Sequence, residues 1–242
     1  MPLLQPLVDR AKALVPEFMA RLTVRRDSGP IDSVDSLCGF VSTRAAYVAQ
    51  KTLYGYLKTR MGTRYPHVFE DEVFITSVDI AKLQIYAACL SDLAIFAVSR
   101  VLQDAPAGPG ASLPAASLPD AETCRALALH CFERGLADNA GQAGAVAAFS
   151  PEEALAAFRR RLAFWDWDGG PQGRAIFTES PAALVRWAPI AQALKKHDAE
   201  IVENSIKFTW RDVRQALDKR VDGAAVLAGA AHLASRAGAV PA

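Results

Sequence analysis

The sequence predicts an all-α protein, an irregular helical bundle built around two long helices, and three observations carry that prediction. Alanine, the best helix former, supplies much of the 51% apolar content. Long β-branched runs are scarce, which removes the usual signal for strands. Apolar side chains recur at steps of three and four through the longest apolar stretch, the spacing that stacks them on one helical face. With 242 residues, 22% of them charged, the chain is long enough to bury a substantial core and reads as one helical domain over 1–242.

Taken in order, residues 5–22 form a short amphipathic segment with Leu7, Leu14, Phe18 and Leu22 on related faces and Pro6 near its first turn. Residues 25–30 are loop-like. The first long helix is expected over about 33–61, because Ser33 or Asp35 can accept the free amides at its start and Gly62 can end it. Val41, Ala45, Val48, Ala49, Thr52 and Leu53 fall on one broad face, small enough for a neighbouring helix to come close. The opposite side carries Phe40, Arg44, Tyr47, Lys51, Tyr54 and Lys58, a stripe in which cations and aromatics alternate. Pro66 biases Tyr65 toward an extended backbone, so a connection comes next. Glu70, Asp71 and Glu72 suit the first turn of a short helix, where carboxylates favour the positive end of the helix dipole.

The second long helix, about 77–103, places Ile80, Leu83, Ala87, Leu90, Ala94, Val98 and Val101 on one face. Ile85, Cys89, Leu93 and Phe96 occupy the other sides, so this helix should be covered from several directions. Gln84, Ser91 and Asp92 interrupt it, and Lys82 and Arg100 bracket a run too short to cross a bilayer; no transmembrane segment is expected. After it comes a Pro/Ala/Gly-rich insert at 104–119, a flexible linker or loop. Asp120 caps a helix running to Arg134, with Gly135 placed to stop it. Ser150, Pro151 and Glu153 make a sharper start for a helix lasting to about Phe164. Residues 165–174 are turn-rich, Ser180 and Pro181 repeat the start signal, and Pro189 breaks or bends the segment after it. Val202, Ile206, Trp210, Val213 and Leu217 define the last strong helix, which stops before Gly223. The Ala/Gly-rich segment 224–242 should be weakly held.

Composition excludes more than it identifies. A net charge of +1 argues against a general polyanion binder. Cys38, Cys89, Cys124 and Cys131 lack CxxC spacing and read as reduced core residues. The first residues lack a basic segment followed by an apolar one, so the cytoplasm is the expected location.

Among residues that carry chemistry, the stripe from Arg44 to Lys58 is the hardest to explain by packing. Tyr and Arg are enriched at interfaces, and cations over exposed rings are attracted to them. Arg60 and Arg64 extend the same chemistry, giving residues 33–65 five Lys/Arg against one Asp. The sequence therefore predicts a noncatalytic interaction or adaptor module whose partner-binding residues are Arg44, Tyr47, Lys51, Tyr54, Lys58, Arg60 and Arg64. The partner is an acidic protein surface, with nucleic acid the lesser candidate. The alternative is a small esterase-type hydrolase with a pocket between the long helices. Its local candidates are Ser36 or Cys38 at the helix start, where the dipole lowers a thiol pKa, with His67 as base. It lacks the G-x-S-x-G elbow and the S-x-x-K motif.

No cofactor and no metal are expected. His130 with Glu133 and His197 with Glu200 have helical spacing but reverse the order used in dinuclear carboxylate bundles, and read as surface pairs. Asp92, in so apolar a helix, requires a partner, and an arginine from a neighbouring helix is the natural one. Of Trp165 and Trp167, one should pin its loop to the core. No motif ties the chain to a family.

Overall fold

The computed structural model describes residues 28–62, 67–104, 120–144, 146, 148–167 and 176–237. They are all-α, and among them the nearest approach to a sheet is one isolated parallel bridge between Ile31 and Val221. The helices are α1 Val34–Met61, α2 Glu72–Asp104, α3 Ala121–Asp138, α4 Ala140–Gly144, α5 Pro151–Ala163, α6 Glu179–Trp187, α7 Gln192–Lys195, α8 Ala199–Asp218 and α9 Gly223–Ala237. A 3-10 turn, His67–Glu70, precedes α2.

Local chemistry sets the ends. Ser33 caps α1: its Oγ accepts the Ser36 amide while Ser36 Oγ accepts the Ser33 amide. Gly62 closes the helix at φ +54, a conformation that glycine enters without a Cβ clash, and its amide donates to the Lys58 carbonyl. Asp71 Oδ1 accepts the Val73 amide at 2.9 Å, so α2 starts at Glu72, five residues ahead of the expected 77. Asp71 and Glu72 thus open the long helix itself, while Glu70 ends the 3-10 turn before it. Ser150 accepts the Glu153 amide and Pro151 stands at the first helical position of α5, as the sequence indicates.

The interior is organised by α1 against α2, with α3 and α9 packed on both, α6 on α2, and α8 on α1 and α6. α2 is apolar and long enough to cross a membrane, yet 83% of its most apolar window is buried inside the protein. Leu83, Ile85, Cys89, Leu90, Leu93, Ala94, Ile95 and Val98 point in different directions around it and all are buried. Val226 and Ala230 of α9 are fully buried.

Gly135 does not stop α3, which runs on to Asp138. A Cβ there would lie 2.6 Å from Leu90 Cδ1 and 3.1 Å from the Tyr86 hydroxyl. The glycine is a point of close approach between α3 and α2, and Tyr86 donates to its carbonyl at 2.9 Å. Of the expected insert at 104–119, Asp104 is the last residue of α2 and 105–119 lie outside the described residues, as does the amphipathic segment at 5–22.

Candidate functional site

Half of the residues of α1 are buried, and what remains outside is narrower than the periodicity suggests. Phe40 is 4% exposed and belongs to the core, a correction to its place on the outer stripe. Arg220, from the turn after α8, brings its guanidinium over that ring at 5.5 Å, while its Nε donates to the Gly29 carbonyl. Arg44 is half-buried with its guanidinium 5.8 Å from the same ring. Tyr47 and Tyr54 are half-buried against the core.

Lys51 and Lys58 are exposed, and neither has a carboxylate partner among the described residues. Lys51 Nζ lies 5.3 Å from the Tyr47 ring centroid. Gly55 meets open space where a Cβ would stand, so the helix has low relief between the two lysines.

Arg60 is occupied within the fold. It pairs with Asp198, just before α8, and its Nε donates to Asp198 Oδ2 at 2.7 Å. The Tyr56 hydroxyl donates to the same oxygen. Asp198 is fully buried, and its charge is met by the arginine together with the phenol. Arg60 therefore ties the end of α1 to the start of α8, where the sequence placed it on the binding surface. Arg64 lies outside the described residues.

Of the hydrolytic candidates, Ser36 and Cys38 are both taken up by the fold. Ser36 Oγ accepts the Asp32 and Ser33 amides and donates to the Ser33 carbonyl at 2.9 Å, so the hydroxyl is consumed by starting the helix. Cys38 is 1% exposed and its Sγ is 3.1 Å from that of Cys131. The Cys38 thiol and burial together push the Cys131 pKa up, which disfavours the Cys131 thiolate. The His67 side chain lies outside the described residues. All four cysteines are buried free thiols.

Asp92 does find its arginine. Arg161 of α5 donates from Nη1 to Asp92 Oδ1 at 2.8 Å and to Ser91 Oγ at 2.7 Å, and from Nη2 to the Ile176 carbonyl. The Ser180 amide donates to Asp92 Oδ2 at 2.9 Å, so the carboxylate also caps the start of α6. Trp210 Nε1 donates to Ser180 Oγ, which joins α8 to the network. Burial pushes the Asp92 pKa up to about 6, against the lowering pull of Arg161 and Ser180. Asp92 itself is fully buried, while Ser91 and Arg161 also line a cavity of about 350 Å³ between α2, α5 and α6. Trp167 is 8% exposed and is the tryptophan that pins its loop.

Of the histidine pairs, Glu133 is bound by Arg159 of α5 at 3.2 Å. Among the described residues, no three His, Cys, Asp or Glu side chains gather as a metal would require.

Sequence reasoning missed a cleft of about 850 Å³ between α6 and α8, floored by Phe177, Ile206 and Trp210. Its signal was present in α8, where Ala199, Glu203, Lys207, Trp210 and Arg214 recur at steps of three and four beside the core face. Comparison with protein-family models, curated proteins and solved structures finds nothing that matches this chain.

Proposed function

We propose that this protein is a noncatalytic recognition module of the cytoplasm that captures an acidic protein partner through the outer face of α1. The observation that carries the proposal is the pair of exposed lysines, Lys51 and Lys58, which no carboxylate among the described residues neutralises, next to the half-exposed ring of Tyr47. Of the other cations, Arg60, Arg161 and Arg100 are paired with Asp198, Asp92 and Asp218. Two unspent charges on a low-relief helix face suit the carboxylates of a protein surface. They are too few for the many phosphate contacts that hold a nucleic acid. The catalytic alternative has no comparable observation in its favour.

Charge reversal tests this directly. Rim charges act mainly on encounter and contribute up to about 1 kcal/mol each, so Lys51→Glu with Lys58→Glu should weaken partner capture by about tenfold. Both side chains are exposed, and the thermal midpoint of the variant should stay within about 2 °C of wild type. Recovery of every partner at wild-type levels from the double variant would remove the proposal.

A further inference from the structure

We infer that the cleft between α6 and α8 is a binding site for a small amphipathic carboxylate, an organic acid with an apolar body. This site is separate from the α1 face and stands or falls independently of it. Two helical stripes build it: Thr178, Pro181, Ala182, Val185 and Arg186 from the α6 side, and Ala199 through Arg214 at helical spacing from α8. Its floor is aromatic and aliphatic, with Phe177 and Trp210 in contact at 4.7 Å between ring centroids. Its volume of about 850 Å³ falls in the range of roughly 300–1,000 Å³ that holds small organic ligands.

Charge selects the occupant. The lining carries Arg186, Lys207 and Arg214 against the single acid Glu203, and Lys207 Nζ already pairs with Glu203 Oε1 at 2.6 Å. Arg214 is the distinctive group. Its guanidinium stands 5.8 Å from the centroid of the Phe177 ring, and its Nε is sealed from solvent with no hydrogen-bond acceptor. A guanidinium fork matches a carboxylate with two parallel hydrogen bonds. An acid whose chain lies on Phe177, Pro181 and Val185 brings its carboxylate to the Arg214 guanidinium at this rim. An uncharged molecule of the same shape lacks that charge-assisted contact.

Calorimetric titration with decanoate and with decanol, the uncharged analogue of the same chain length, tests the assignment. Wild type should bind decanoate saturably at one site and decanol more weakly. Arg214→Gln should weaken decanoate by about tenfold or more while leaving decanol nearly unchanged, since charge-assisted hydrogen bonds are what it removes. Val185→Trp, at a half-buried lining position, should block both ligands. Circular dichroism melts confirm that each variant is folded, and the Trp210 indole N–H resonance should shift in wild type on adding decanoate. No saturable binding, equal decanoate affinity in Arg214→Gln, or binding that leaves the Trp210 resonance in place would overturn the inference. So would capture of an acidic helical peptide by the cleft with no response to decanoate, which would give the site to a protein segment.

Discussion

Asp92→Ala should destabilise the protein by about 3–5 kcal/mol, the range seen when one member of a buried ion pair is removed. The substitution strips Arg161, whose side chain is only 15% exposed, of its counter-charge. It also removes the acceptor of the Ser180 amide and so uncaps α6. Because Ser180 holds the Trp210 indole, the loss reaches α8 as well. Chemical denaturation at neutral pH measures it, and a cost below about 1 kcal/mol would show that the network does not anchor these helices.

The same residue gives a pH signature with a definite sign. Its folded pKa, about 6, lies above the unfolded carboxylate value near 3.8. The native state therefore holds the proton more tightly than the unfolded chain. This contribution to stability is full below about pH 4 and is lost as pH rises through about 6. Asp92→Asn cannot titrate, so the wild-type stability minus that of the Asn variant should fall by roughly 2–3 kcal/mol from pH 4 to pH 7. A difference that rises with pH would mean that Arg161 outweighs burial.

The second large effect belongs to the contact between Leu90 and Gly135. Leu90 is fully buried, and truncation to Ala should cost about 2–5 kcal/mol. Gly135→Ala pushes a methyl group within 2.6 Å of the Leu90 side chain and should cost about 1–3 kcal/mol through overpacking. Combining them relieves each fault with the other, because the methyl at 135 enters the space that Leu90 vacates. The double variant should be more stable than the sum of the single costs implies, by about 0.5–3 kcal/mol. Strict additivity in denaturant melts would mean that the two positions do not share that space.

The all-α class is legible in the sequence because its signals are local. Ser33, Gly62 and the Ser150–Pro151 start need only their neighbours in the chain, and they mark helix ends in the structure. Gly135 misleads because a glycine after an amphipathic run has the same appearance whether it ends a helix or admits a neighbour. Only the position of Leu90 distinguishes the two. Phe40 misleads for a similar reason: periodicity sets its angle on α1, but Arg220 and the surrounding core decide what covers it. Arg60 looks free in the sequence because Asp198 lies 138 residues away. The cleft is invisible there as a cavity because its walls come from two helices, each of which reads separately as an ordinary amphipathic segment.

Recognition through the outer face of α1 is most directly tested by lysine acylation, read by mass spectrometry, of the free protein and of its complex with a captured partner. Lys51, Lys58 and Lys207 should all react in the free protein, since all three are exposed. In the complex, Lys51 and Lys58 should be protected while Lys207, in the α6–α8 cleft, continues to react. Undiminished labelling of Lys51 and Lys58 in a saturated complex would contradict the proposal.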